Sequence, residues 1–375
     1  MIMCDQKNIN YLKILTMKKF FFLSFVLLFI TAAAYTQGCV IVRNISGFGQ
    51  YNLTDNAFST SNWQMNLTTR YFKSFRDYKG TTDQKTPENN QSINRVFSMD
   101  ISVNRILNKG WSVNISLPVT SNSRSSTAEH GGANTTRHIT RSFGIGDIRL
   151  SAYKWLLAPA VRQKINVQLG LGIKLPTGDY KYQGYFYKND STKVLAPVNP
   201  SIQLGDGGTG ILTELNTFYI FNKTISLYGN LYYLINPREQ NGTSATAGKA
   251  ATALQIKSGS DINSVPDIYS IRAGTNFNFQ HISFSIGLRK EGIPVNDLIG
   301  GSNGNRRAGY NLSLEPGIIY KIKKISVYAY IPVIISRKIK QSVPDKMVSE
   351  ITGVQTITQG GFANYLVFIG AQFKF

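Results

Sequence analysis

The chain of 375 residues has only two cysteines, Cys4 and Cys39, and three histidines. Two thiols cannot build a disulfide framework. No His-Glu-x-x-His motif, Cys/His cluster or acidic calcium loop is present, so no metal site is expected. Charge is also sparse, at 16% of residues, and acidic side chains (20) number half the basic ones (41), for a net charge of +21. Basic residues nonetheless form no block longer than a pair, such as Arg306-Arg307. That pattern excludes the footprint of a nucleic-acid-binding protein and leaves anionic lipid head groups or anionic solutes as partners for the excess charge. Long apolar runs are missing too. Phe20–Ile30 is the longest, and it falls short of the about 20 residues that a membrane-spanning helix needs. Any residence in a membrane must therefore come from strands.

What is present is glycine (33), tyrosine (20) and phenylalanine (21), a composition that suits a lipid-facing β-protein. At the N-terminus, Met17-Lys18-Lys19, the apolar Phe20–Ile30 and the small residues Thr31–Ala34 form a secretory signal, with Met17 as a plausible initiator. Residues 1–34 are expected to be removed. This takes away four Lys and one Asp and leaves a net charge of +18. Cys39 follows Gly38, which fits a lipidation site, but Thr36 stands where such sites carry Leu. Lipidation or a free thiol are the two readings of Cys39. Residues 35–60 are irregular and Asn-rich, and are read as a periplasmic lead-in or a plug for the lumen.

From residue 61 to 375 the period is two, which places side chains at i and i+2 on one face of a strand. Twelve such stretches follow: Trp63–Tyr71, Ile93–Val103, Trp111–Val119, Ile148–Ala152, Ile165–Leu175, Ile211–Phe221, Ile225–Ile235, Tyr269–Phe279, Ile282–Leu288, Leu312–Tyr320, Ile325–Ile335 and Gly361–Phe375. Each sets apolar residues against a polar row. Short connections, such as Asn108–Gly110, Ala158–Arg162 and Asn222–Lys223, alternate with long polar ones, such as Ser121–Thr140, Lys181–Gly207 and Gln341–Gln359. Outer-membrane barrels alternate periplasmic turns and extracellular loops in this way. The expected fold is all-β: a transmembrane antiparallel up-and-down β-barrel of about 12 strands with both termini periplasmic, in the outer membrane of a Gram-negative bacterium. The last strand is expected to turn its Ala363–Phe375 row to lipid.

That last strand, ending on Phe375, resembles the C-terminal strand of bacterial outer-membrane barrels. The resemblance implies that Phe375 serves as a signal to the barrel-assembly machinery. Three further segments, GIGDIRLSAYKWLL (Gly144–Leu157), LGLGIKLPTGDY (Leu169–Tyr180) and LGDGGTGILTEL (Leu204–Leu215), resemble in order and spacing the outer-membrane family labelled MetA-pathway of phenol degradation, related to hydrophobic-substrate transporters. Ile145 replaces the family's Leu, and Asp206 stands inside the third motif. The resemblance covers mainly residues 140–240 and implies a barrel that passes small, often apolar or aromatic, molecules.

The polar rows name the candidate lumen residues: Arg70, Asp147, Arg149, Lys174, Glu214, Arg272, Arg289 and Glu315, with Tyr228 and Tyr328. The charges either pair across adjacent strands and fill a polar interior, or form a charged constriction that selects solutes. The tyrosines either line an amphipathic path or pack the interior. Pro176-Thr177-Gly178-Asp179 is read as a strand end and loop opening. No enzyme is expected, because His130 and His138 fall in one long loop and His281 in a short turn, without a nucleophile and base at a catalytic spacing. The outer-membrane phospholipase signature, His-x-Ser-Asn-Gly, is absent. No cofactor is expected, and the partners are outer-membrane lipids, the assembly machinery and a small-molecule solute. Beyond that reading stand an anion-preferring pore, suggested by the +18 charge, and a non-transporting surface barrel whose loops bind partners.

Overall fold

The computed structural model describes residues 63–375, apart from 109, 133–135, 158–163, 190, 362, 364 and 365. The signal segment, the 35–60 lead-in and Cys39 lie outside the described residues. Twelve antiparallel strands close into a barrel. They are β1 (Trp63–Ser74), β2 (Ile93–Ile106), β3 (Trp111–Ser126), β4 in two pieces (His138–Ile145 and Arg149–Trp155), β5 (Ile165–Lys174), β6 (Gly210–Ile220), β7 (Ile225–Ile235), β8 (Ile268–Asn278), β9 (Ile282–Ile293), β10 (Gly309–Ile322), β11 in two pieces (Ile325–Tyr330 and Val333–Ile339) and β12 (Val367–Lys374). Each strand pairs with its neighbours in sequence, and β12 pairs with both β11 and β1. At the seam Trp63 and Phe375 exchange both backbone hydrogen bonds, 3.1 and 3.0 Å. Closure matters because lipid offers no partner to a free strand edge.

The period-two pattern has its physical cause here. In β1, Gln64, Asn66, Thr68 and Arg70 are buried inside the barrel. Apolar residues of other strands, such as Ile115 of β3, Leu150 of β4 and Leu171 of β5, lie open on the outside. This is an inverted protein, apolar outside and polar within, and such a surface is stable only in a bilayer. At the rim with the short turns, Trp63, Trp111, Phe221, Phe279, Tyr320 and Phe375 are exposed and form an aromatic belt. Arg105 lies 4.7 Å over the Trp63 ring and Lys154 4.8 Å over Trp111.

Three departures from the expected strands have local causes. First, β3 runs on to Ser126, and β4 begins at His138, so the expected Ser121–Thr140 loop shrinks to 127–137. Above the bilayer both faces meet polar surroundings, and the apolar alternation that marks a strand fades. Second, β4 is interrupted at 146–148, opposite Pro118 of β3, which has no N–H to give to the ladder. Third, β11 breaks at Ile331-Pro332, facing Pro316 of β10. Its upper piece pairs only with β10, and β12 starts at Val367 rather than at Gly361. Ala363, expected to face lipid, is buried, as is Leu366, while Ile369 does face outward. Backbone bonds between Tyr78 and Gly360, from Ile339 N–H to the Gly80 carbonyl, and from Leu366 N–H to the Pro332 carbonyl bridge the resulting gap.

Inside, large side chains rest on glycines of the neighbouring strands. The Tyr228 ring of β7 lies across Gly274 of β8 and Gly287 of β9, where a Cβ would collide with its hydroxyl. Tyr328 sits on Gly370 in the same way, and its hydroxyl meets Thr68 Oγ1 at 2.6 Å and Asn66 Oδ1 at 2.8 Å. Gly287→Val sets a branched side chain against the Tyr228 ring. Overpacking against Tyr228 should destabilise the barrel by about 1–3 kcal/mol. A lower urea midpoint of the folded protein reads this; an unchanged midpoint shows that the ring moves aside at no expense.

Candidate solute site in the barrel lumen

The three motif segments meet at one point of the wall. The interruption of β4 frees the carboxylate of Asp147, from the first motif. It accepts from the backbone N–H of Gly178 (3.0 Å), in the second motif, and of Asp206 (3.3 Å), in the third. Lys174, the last residue of β5, is ion-paired to Asp206 and stands 3.9 Å from Asp147, with only 1% of its side chain exposed. Thr177 caps the break: its hydroxyl accepts from Ile148 N–H (2.9 Å) and donates to the Gly146 carbonyl (3.0 Å). Gly178 and Gly205 lie back to back, and a Cβ on either would strike the backbone of the other. Each motif residue therefore satisfies a group that another segment leaves open, as buried polar groups require.

This knot tethers a loop that folds into the barrel. Residues 175–209 rise as a hairpin (Gln183–Tyr187 with Lys193–Pro197) and then descend through a short 3-10 turn at Pro200–Ile202. Val198, Ile202 and Leu204 are buried. Ser142 of β4 and Asn122 of β3 both donate to the Ile202 carbonyl, Ser201 donates to Asn94 Oδ1 (3.1 Å), and Asn199 donates to Glu129 (2.9 Å). The loop is pinned to three strands and to the neighbouring loop.

Beneath it lies a cavity of about 290 Å³. An open vestibule of about 480 Å³ joins it from the long-loop side, sharing Asp77, Ser92, Arg124, Arg307 and Gln359 as a common wall. Among the described residues, seven basic side chains line the cavity against three carboxylates, Asp77, Asp147 and Asp206. Arg149 also borders a small void of about 20 Å³ that leads to Glu214 and Tyr232.

All ten candidate lumen residues are buried inside the barrel, but they do not form one site. Arg70, Asp147, Arg149 and Lys174 line the cavity. Glu214 accepts from the Tyr153 hydroxyl (3.1 Å) and from Asn230 (2.9 Å). Arg272 clasps Glu315 with both carboxylate oxygens at 2.9 Å, and Arg289 reaches Glu315 (3.4 Å) and Glu291 (2.6 Å). These four charges span β8, β9 and β10, so the pairing crosses an intervening strand as well as adjacent ones. Tyr330 and Phe368, stacked 4.5 Å apart, cover the two guanidiniums. Tyr228 and Tyr328 are interior packing on glycine. His130 and His138 come together, ring centroids 5.5 Å apart, in a stack with Phe186 and Tyr187, and His130 Nδ1 accepts from Tyr187 N–H (3.1 Å).

The barrel and its inward loop can be set beside solved structures. The COG4313 outer membrane channel from Pseudomonas putida F1 superposes with a TM-score of 0.57 at 10% identity, over 85% of this chain and 97% of that one. The chain has the fold of outer-membrane channels. A Pseudomonas aeruginosa FadL homologue (TM-score 0.40, 9% identity, 85% and 91% covered) and the Pseudomonas putida toluene transporter TodX (0.41, 9%, 91% and 96%) are more distant barrels. No protein-family model and no curated protein sequence matches the chain.

Against this channel fold, the residues that sequence reasoning missed are those the loops bring in. Asp206 reads in the sequence as a departure inside a motif, yet it is the carboxylate that holds Lys174. Arg306 and Arg307 stand out in the sequence only as a basic pair, yet Arg306 is buried on Asp297 (2.6 Å) and both line the cavity. Glu291, expected in a loop, lies in β9 and holds Arg289. Asp147 is the centre of the knot, and Asp147→Ala tests it. Lys174 keeps its pair with Asp206, but the N–H groups of Gly178 and Asp206 lose their acceptor, at about 1–3 kcal/mol for each one left unsatisfied. The expected outcome is a lower unfolding midpoint together with faster tryptic cleavage at Lys181 and Lys188, in the released loop. Wild-type cleavage kinetics would show that the loop is held without the knot.

Proposed function

We propose that this barrel is a channel for small hydrophobic or aromatic molecules, and that its three motifs mark kinship with the MetA-pathway of phenol degradation family. The observation that carries the reading is the cavity under the inward loop. Its volume of about 290 Å³ lies at the small end of ligand sites, and a dry cavity of about 150 Å³ already takes benzene. Phe72 and Val96 face each other across β1 and β2, Leu234 and Ile268 across β7 and β8, and all four line it. One substituted ring fits such a space. Swelling of liposomes that hold the purified, folded protein should follow the entry of small aromatic solutes. Absence of solute flux for every aromatic tested would overturn the reading.

A second reading, an anion preference, is favoured by the seven basic side chains against three carboxylates in the same wall. Asp77, shared by vestibule and cavity, adds a pH dependence. Burial raises its pKa above the usual carboxylate value, and the nearby Arg124 and Arg307 only partly oppose this while Asp83 adds to it. A raised carboxylate pKa means that Asp77 loses its charge earlier as pH falls, leaving the mouth more positive. Reversal potentials in planar bilayers under a salt gradient should therefore shift toward stronger anion preference on acidification, and Asp77→Asn should show the stronger preference already at pH 7. Cation preference at neutral pH would sink this reading.

A further inference from the structure

The cavity wall is not uniformly charged, and its layout distinguishes between solutes. Basic side chains gather where Arg149 of β4 and Lys174 of β5 stand opposite each other in register, both 9% exposed or less. Arg70 lies on the same inward face of β1 two positions from Phe72. The apolar pairs Phe72–Val96 and Leu234–Ile268 stand on the strands to either side of the β4–β5 pole. A neutral hydrocarbon would use the apolar pairs and gain nothing from the basic pole. A small inorganic anion would use the pole and leave the apolar pairs wet. An organic cation would meet an excess of like charge in a site where low dielectric strengthens the repulsion.

We infer that the cavity binds small monocarboxylates with an apolar body of about one ring. The carboxylate lies toward Arg149 and the arginines of the rim, because a guanidinium matches a planar carboxylate with two parallel hydrogen bonds. The body lies against one of the two apolar pairs, whose burial supplies the favourable hydrophobic term. This deepens the channel reading and rests on it only in that the solute must reach the cavity.

The test uses benzoate, benzyl alcohol, benzylamine and acetate as probes on the full-length mature barrel folded in detergent, with binding read by calorimetry and flux read separately in liposomes. Benzoate should bind more tightly than each of the other three, on the order of tenfold, and its margin over benzyl alcohol and benzylamine should narrow at high salt. Arg149→Gln and, in the loop, Arg307→Gln should each weaken benzoate several-fold and leave benzyl alcohol unchanged. Equal binding of benzoate and benzyl alcohol, tighter binding of benzylamine, acetate equal to benzoate, or indifference of benzoate to both substitutions would each overturn the inference. The two readings fail differently. Benzoate binding with no flux of any probe refutes the channel and leaves the site standing, whereas equal flux of all four with no binding refutes the site and leaves the channel.

Discussion

A chain that crosses lipid as strands must find a partner within itself for every backbone N–H and carbonyl, because the hydrocarbon offers none. This constraint explains why the barrel closes, and more usefully why it is so elaborate where its ladder fails. At 146–148 a proline in the neighbouring strand removes a donor, and the polar groups of the break are taken up by Thr177, Gly178 and Asp206. At Ile331-Pro332 two prolines open the wall between β11 and β12, and the backbone of residues 78–80, 360 and 366 takes over. In both places residues of a long loop complete the wall. The lumen's shape follows from how its defects are repaired.

Much of this was legible beforehand. All twelve strands can be read from alternation, because lipid and lumen impose opposite demands on successive residues, and that contrast survives in sequence. The alternation of short and long connections supplies the direction. The signal weakens where the contrast weakens, as in Ser121–Ser126, where both faces are wet and the strand continues without an apolar row. Pro118, Pro316 and Pro332 were the available warnings of ladder defects, since a residue without a donor cannot sit in an unbroken ladder. Read that way, they point to the split of β4 and to the late start of β12.

The candidate site was legible only by half. Inward orientation of the ten lumen residues follows from strand phase, but which of them share a cavity does not. Arg272, Arg289 and Glu315 are drawn into a closed ion cluster, while Arg70, Arg149 and Lys174 line the cavity. The difference comes from residues 198–206 and 305–307, which carry no periodicity and enter the lumen through side-chain hydrogen bonds far apart in sequence. Motif resemblance found the segments around Asp147, Lys174 and Asp206, and only the fold shows that they touch. Sequence spacing carries no information on contacts closed through a loop of about thirty residues.

One consequence of the knot concerns tolerance to change. The hairpin Gln183–Tyr187 with Lys193–Pro197 stands between two fixed anchors, Gly178 before its first strand and Asn199 after its second. Because both ends are held, the length of chain between Tyr187 and Lys193 is decoupled from the position of Pro200–Asp206 over the cavity. Lineages can therefore lengthen, shorten or diversify that tip without retuning residues 200–206. The same independence makes it the natural place to graft a peptide for display.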